Sequence, residues 1–389
     1  MIRVALLTTV NSRSAGGLYT SVRYLGLNIF RKGECVIRLF SHDDHFSAKD
    51  RYVYEDMPMI DYHITSFPGL KSFGYSNDLY EKLEDYQPDI IHVQGIWQYH
   101  SYVAYRYKRN HPKTKVILTP RGMVDPWALK NNAWKKKIVG HLFEYDNLKT
   151  ADCLHALCLS EYESMRQLGL NNPIAIMPNG YNLPSNLSFD RNHEKKVMLF
   201  VGRIHPKKGI RELLSAIKLV KDENPELLAK WEFRIAGWDQ NGHIQELMSQ
   251  STILGLDEYV KFIGSVYADK KDEEMRQANA FVLTSFSEGL PMSVLEAWAY
   301  KLPVLMTDYC NIPEGFDANA AIRVDTTPES IKAGLMSILS MDDAKLNEIG
   351  ENGYNLVKEK FTWEHIAQQS VEVYKWLMEQ GNKPECVKQ

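Results

Sequence analysis

Short runs of β-branched and apolar residues alternate with longer stretches of helical spacing along nearly the whole chain. The runs are Arg3–Val10, Val36–Phe40, Ile90–Gln94, Val116–Thr119, Cys153–Leu157 and Ile174–Met177. A second set follows: Val197–Val201, Phe233–Ala236, Val260–Ile263, Ala280–Thr284, Val304–Thr307 and Ala321–Val324. Most are near-continuously apolar, the pattern of strands covered on both faces. Between them, stretches such as Leu18–Phe30, Ile210–Lys221 and Val294–Tyr300 carry the spacing of helices that lay one stripe on a sheet. Strand–helix–strand repetition predicts an α/β chain with parallel sheets.

The two sets are separated by Pro178-Asn179-Gly180-Tyr181-Asn182-Leu183-Pro184-Ser185-Asn186 and the polar stretch Asp190–Lys196, a joint rich in turn formers. At 389 residues the chain can bury two cores. We expect two doubly wound, Rossmann-like domains, 1–180 and 181–360. The remainder, 361–389, reads as a helix over Phe361–Met378 that packs back on the first domain, then a frayed tail from Gly381.

Charge and cysteine usage narrow the class. A net charge of −3 excludes non-specific nucleic-acid binding as the main task. Residues 1–185 hold 22 basic and 18 acidic side chains, and the rest hold 24 and 31, so the halves suit different partners. Five scattered cysteines without a CxxC pair argue against a zinc site or disulfide framework, and for a reducing compartment. The opening residues lack the apolar stretch of a signal peptide, and no run reaches the ~20 apolar residues of a membrane span. The expected location is the cytoplasm, with docking on the inner face of the cell membrane as the furthest extension.

Four segments could carry chemistry. Gly16 and Gly17 follow the first strand and open a helix, where backbone can approach a ligand; the pattern is not GxGxxG. Gly202-Arg203-Ile204-His205-Pro206-Lys207-Lys208-Gly209 lies between a strand end and a helix start, the edge where open parallel sheets bind ligands. Its Arg203 and Lys208 suit a diphosphate. Ser287-Glu288-Gly289-Leu290-Pro291-Met292-Ser293-Val294-Leu295-Glu296 sets one carboxylate before a helix and one inside it, with Pro291 expected in the first turn. Two carboxylates so placed could hold two polyol groups, or Glu296 could simply form an intrahelical pair. Thr119-Pro120-Arg121-Gly122-Met123-Val124-Asp125-Pro126-Trp127 reads as a binding loop at a strand's carboxyl end.

Taken together, these segments resemble the family 4 glycosyltransferases, retaining enzymes of the GT-B fold, in which two Rossmann-like domains face a central cleft. Glu288 through Glu296 matches the family's acidic pair, Gly202-Arg203…Lys208-Gly209 its diphosphate loop, and Met177-Pro178-Asn179-Gly180 its interdomain segment. The resemblance implies an acceptor-binding first domain and a second domain that binds a UDP- or GDP-sugar as co-substrate, with no cofactor and no metal. Arg203 and Lys208 would stabilise the diphosphate leaving group, Glu288 would hold donor-sugar hydroxyls and Glu296 the ribose diol. Leu290, Pro291 and the backbone of Gly289 would hold phosphate or sugar oxygens. Gly264 and Ser265 would lie near the base, and Gly16 and Gly17 would meet the diphosphate on closure. Many relatives carry a histidine where this chain has Arg121, so Arg121 is expected to bind a phosphate or an acceptor group. Asp125, Trp127 and His100 would shape the acceptor pocket. The basic, apolar segment 134–143 resembles the element by which relatives approach anionic membranes and lipid-linked acceptors. The expected reaction is transfer of a hexose-type sugar to a glycan or lipid-linked acceptor in surface-polysaccharide or lipopolysaccharide assembly. The same motifs leave open another GT-B activity, a nucleotide-sugar epimerase or an inverting transferase, or a nucleotide-sugar-binding protein without turnover.

Overall fold

The computed structural model describes residues 1–389 apart from 55, 66–72, 126–127, 130–132, 192 and 240–241. It divides the chain into unit 1, Met1–Gly180 with Trp363–Gln389, and unit 2, Tyr181–Thr362. Unit 1 contains β1 (Ile2–Val10), β2 (Cys35–His42), β3 (Met59–Tyr62), β4 (Ile90–Gln94), β5 (Lys115–Thr119), β6 (Cys153–Ala156) and β7 (Ile174–Ile176). These pair in parallel in the order β3-β2-β1-β4-β5-β6-β7. Along β1, Val4 and Leu6 pack on one buried cluster and Ala5 and Leu7 on the other. Both faces of the sheet are therefore covered, which is why its strands are apolar throughout.

Unit 2 repeats the plan with β8 (Lys196–Val201), β9 (Trp231–Ala236), β10 (Val260–Gly264), β11 (Ala280–Leu283), β12 (Val304–Thr307) and β13 (Ala321–Val324). The order is β10-β9-β8-β11-β12-β13, again all parallel. The helix Ile210–Glu223 buries Leu213, Leu214, Ile217 and Val220 on it. Each such leucine or isoleucine contributes about 1.5–3 kcal/mol. Trp298 is fully buried, and its indole N–H donates to the Ala320 carbonyl at 3.0 Å. Gly315 and Gly353 make room for it: a Cβ on either would lie 2.4 or 2.3 Å from the indole ring.

Two strands lie outside the expected set. One is β3, at the edge of the unit 1 sheet. The other is β14 (Val387–Lys388), antiparallel to β7 with Val387 opposite Ala175. The end of the chain is thus held in the sheet rather than frayed, with Val387 buried. Before it, the helix Trp363–Leu377 packs on unit 1, where Trp363 stacks on Tyr24 with ring centroids 5.9 Å apart. In both sheets the winding direction reverses, between β1 and β4 and between β8 and β11. Loops leaving the carboxyl ends of strands at such a reversal diverge and open a crevice.

Candidate active site

The loops after β8 and β11 meet at the unit 2 crevice. Residues 202–209 leave β8, turn through a short 3-10 segment at Pro206–Lys208, and enter the helix at Ile210. Gly209 makes this possible. Its φ is +66°, and a Cβ there would stand 2.1 Å from the Thr284 carbonyl oxygen, so a side chain would push the loop off β11. The Thr284 hydroxyl donates to the Gly209 carbonyl at 3.0 Å, and the Phe286 N–H to the Lys207 carbonyl at 2.8 Å. The cationic loop is thereby fastened to the loop that carries Glu288.

Lys208 Nζ donates to Glu288 Oε1 at 2.5 Å, and Ser285 Oγ donates to the same oxygen at 2.5 Å. The two charged side chains are 16% and 12% exposed. From the other side, the Glu288 N–H donates to the Tyr309 carbonyl at 2.9 Å, and Asn311 Nδ2 to the Glu288 carbonyl at 2.5 Å. Glu288 is held by backbone and side chain while its Oε2 takes part in none of these bonds. Glu296, in the helix Met292–Ala299, has its partner outside that helix: Lys271 Nζ donates to its Oε1 at 2.7 Å. Pro291 stands just before the helix, as its N-cap, rather than in the first turn.

One cavity of about 340 Å³ gathers these groups. Arg203, Lys208, Ser265, Glu288, Leu290, Pro291 and Glu296 all line it. Gly289 sits in the same loop, and Gly264 ends β10 with φ +73°. Sequence reasoning missed three lining side chains: Lys271, Trp238 and Tyr267. Trp238 and Tyr267 both follow strand ends at the crevice, a positional signal present in the sequence. Trp238 also receives the Arg203 guanidinium, 5.9 Å from its ring centroid. Three cations beside two carboxylates can neutralise an oxyanion and accept bonds from hydroxyls at once.

The unit 1 candidates are arranged differently. Arg121, at φ +51°, donates from Nε and Nη2 to Gln94 Oε1 at 2.9 and 2.6 Å, and from Nη1 to Asn179 Oδ1 at 3.4 Å. Burial lowers its pKa to about 10, with Glu161 acting against the shift. Gln94 in turn donates to Thr119 Oγ1 at 3.3 Å, and that oxygen lies 2.9 Å from His92 Nε2 and 3.1 Å from His155 Nδ1. His92 also reaches the Tyr374 hydroxyl at 2.8 Å. His92 and His155 are buried and their pKa values lowered by that burial, His155 to about 4. His100 is buried too, its Nε2 3.2 and 3.1 Å from the carbonyl oxygens of Gln94 and Gly95. Asp125 is exposed, and Trp127 lies outside the described residues. Gly16 precedes the helix Gly17–Lys32, and nothing stands within 4 Å of where a Cβ on either glycine would be. In segment 134–143, the helix Ala133–Val139 runs into a π turn at Gly140–Glu144. Trp134, Ile138 and Leu142 are 65%, 52% and 74% exposed. Among the described residues no group of three or more His, Cys, Asp or Glu is placed to hold a metal ion, and no helix is long and apolar enough to cross a membrane.

Comparison with known proteins agrees with the fold. The family described as "Glycosyl transferases group 1" matches residues 187–356, and the "Glycosyl transferase 4-like domain" matches residues 35–180. Sucrose-phosphate synthase from Thermosynechococcus elongatus superposes with a TM-score of 0.70 at 20% identity, covering 97% of this chain and 100% of that one. The chain belongs to the family 4-type GT-B glycosyltransferases. The glycosyltransferase also resembles Anabaena HepE, solved in complex with UDP and glucose, with a TM-score of 0.69, 16% identity and coverage of 97% and 100%. In sequence it is 24% identical to an uncharacterized glycosyltransferase of Methanocaldococcus jannaschii over 91% of this chain and 95% of that protein. It is 26% identical to O-antigen chain mannosyltransferase B of Escherichia coli over 46% of this chain and 45% of that protein. A second M. jannaschii glycosyltransferase is 32% identical over 48% of this chain and 46% of its own length. The glycosyltransferase thus spans about half the length of several curated relatives it matches.

Proposed function

We propose that this glycosyltransferase moves a hexose-type sugar, with retention of anomeric configuration, from a nucleotide-diphosphate sugar to a glycan or lipid-linked acceptor. The observation that carries the reading is the convergence of Arg203, Lys208, Glu288 and Glu296 on one cavity. The guanidinium fork of Arg203 and the ammonium of Lys208 take the diphosphate and stabilise the charge that develops as it leaves. Glu288 accepts bonds from sugar hydroxyls and Glu296 from the ribose diol. HepE, bound to UDP and glucose, supports a nucleotide-sugar donor, UDP- or GDP-linked. The O-antigen mannosyltransferase and a lipopolysaccharide outer core galactosyltransferase of similar fold support surface-polysaccharide or lipopolysaccharide assembly.

In the reaction, the bond between the anomeric carbon and the diphosphate oxygen breaks. The acceptor oxygen bonds to the same face of that carbon, and its proton passes to the departing phosphate oxygen. Two side-chain cations at the diphosphate do the work of charge neutralisation, so the reading requires no metal. The exposed Trp134, Ile138 and Leu142, among the lysines of segment 134–143, extend it to peripheral attachment at the cytoplasmic face of an anionic membrane.

A thermal-shift panel of UDP-, GDP- and ADP-sugars tests the donor site. A ligand at 100 times its Kd should stabilise the native protein by about 2.7 kcal/mol; no stabilisation by any of them would remove the basis of the proposal. NMR of the product's anomeric proton then decides retention, and unchanged turnover in EDTA is expected.

A further inference from the structure

Arg121 is a cation set into unit 1 without a counter-ion. Its hydrogen bonds end on neutral amide oxygens: Nε and Nη2 donate to Gln94 Oε1, and Nη1 to Asn179 Oδ1. Among the described residues no carboxylate forms an ion pair with it. The lysines of the unit 2 crevice are different, since Lys208 and Lys271 each pair with a glutamate. A charge withdrawn from water and met only by amide dipoles is costly until an opposite charge joins it.

The neighbouring ionisable groups do not supply that charge. Glu161 acts on Arg121 only at longer range. Its Oε2 accepts from the Leu157 N–H at 2.9 Å. Burial, aided by the charge of Asp125, raises the pKa of Glu161 against the Leu157 and Gly122 N–H groups and Arg121 itself. A carboxyl group so placed is a weak counter-ion. Asp125 is exposed, so water screens it. His92 and His155 have their pKa values lowered, chiefly by burial and further by the charge on Arg121. Both are neutral near pH 7, and the local charge stays positive.

The guanidinium has donors to spare. Of its five N–H groups, Gln94 takes one on Nε and one on Nη2, and Asn179 takes one on Nη1. One N–H on each terminal nitrogen is left, the fork that fits two oxygens of a phosphate or carboxylate. Gln94 closes β4 and is fully buried, so the base of the fork is anchored in the sheet. Arg121 itself is partly exposed, and an ion in solution can reach it. Its φ of +51° is followed by +74° at Gly122, a backbone region that long side chains seldom adopt. This turn at the end of β5 brings the side chain back onto β4.

We propose that Arg121 binds an oxyanion, a phosphate or a carboxylate carried by the acceptor or by the transferred sugar, distinct from the diphosphate taken by Arg203 and Lys208 in unit 2. The proposal rests on the glycosyl-transfer reading above and adds a negatively charged group to its substrates.

The test uses the full-length protein saturated with the nucleotide that the thermal-shift panel selects. Glycerol phosphate, followed by phosphorus NMR line broadening, stands for a phosphorylated acceptor. Methyl β-D-glucuronide, followed by saturation-transfer NMR beside the neutral methyl β-D-glucopyranoside, stands for a carboxylated sugar. At least one of the two anions should bind, and the tighter one names the source of the oxyanion. Gln94→Glu fills the same space and gives Arg121 the carboxylate it lacks. That variant should melt no lower than the wild type and keep its nucleotide affinity, yet bind the anion at least about tenfold more weakly, a difference of about 1.4 kcal/mol. A merely structural arginine would gain the same pairing and have no anion to lose. Arg121→Lys keeps the charge without the fork and should also weaken the anion, so the test stands if Gln94→Glu fails to fold. Neither anion binding, or anion affinity unmoved in the folded variants, would overturn the proposal. So would a nucleotide affinity that falls in step with the anion's, since the fork would then belong to the donor's diphosphate. Nucleotide binding without anion binding overturns the Arg121 assignment alone; no nucleotide binding overturns the glycosyl-transfer reading and this one with it.

Discussion

Lys208 and Glu288 neutralise each other across 2.5 Å in a site where both are mostly shielded from water. A diphosphate arriving there must draw Lys208 away from Glu288, at least in part. Two substitutions separate the partners' roles. Glu288→Gln keeps the side chain's shape and releases Lys208, so nucleotide affinity should hold or rise while transfer falls about 100-fold or more. Lys208→Ala removes the cation, and both nucleotide affinity and kcat should fall, the latter by about 100-fold. Calorimetry with UDP and a steady-state transfer assay on the same two variants check this, and ordinary turnover by Glu288→Gln would refute its assigned role. Lys271 acts one step back, by fixing the Glu296 carboxylate at 2.7 Å. Lys271→Ala should raise the donor KM several-fold, on the order of one lost hydrogen bond, and leave kcat nearly unchanged, the signature of lost uniform binding.

These side chains converge because the loops between strand and helix are fixed by backbone contacts. Gly209 is the clearest case: Gly209→Ala would combine an unfavourable φ with a Cβ 2.1 Å from the Thr284 oxygen. The variant should lose more than about 1 kcal/mol, read as a lower urea midpoint, and transfer should fall with it as the Lys208 loop lifts. The sequence is informative at this level wherever local chemistry and long-range position coincide. The strands of both sheet interiors are legible because burial on two faces demands unbroken apolar runs. The edge strand β3, Met-Ile-Asp-Tyr, carries an acidic residue that an edge tolerates and a central strand does not. The strand β14 is two residues long and exists only because β7 offers an open side. In the same way Arg203, Lys208, Glu288 and Glu296 announce themselves by standing at strand ends and helix starts. Lys271 does not, since the helix Ala268–Gln277 is mostly charged and any of its lysines reads as a solvated face. The link from Arg121 through Gln94 and Thr119 to His155 joins β4, β5 and β6, and no local pattern reports it.

The two units share a strand order yet differ in what they bury, and this separates their response to acid. Unit 1 holds His100 and His155 deep in its interior, with pKa values near 4, and His92 lowered in the same direction. In the unfolded chain each histidine titrates near 6.5. Between those values the unfolded state binds protons that the folded state refuses, so stability is intact above about pH 6.5 and declines as pH falls toward 4. At pH 5 the loss is about 2 kcal/mol for each of the two, a sizeable share of a typical domain's 5–15 kcal/mol. Asp44, held near 2, begins to matter only below about pH 4, outside this window. The unit 2 histidines lie nearer the surface: His243 is 8% exposed with Nδ1 3.1 Å from the exposed Glu246 carboxylate, and His205 is partly exposed, its pKa lowered by burial and by its cationic neighbours. Hydrogen exchange measured at pH 7 and pH 5, corrected for the intrinsic rate, should therefore show protection falling in β4, β5 and β6 while β8 and β11 keep theirs. His155→Gln should remove about a third of the pH dependence that His92, His100 and His155 together give unit 1. Equal loss in both units, or none in either, would mean that these imidazoles are not held neutral by the interior of unit 1.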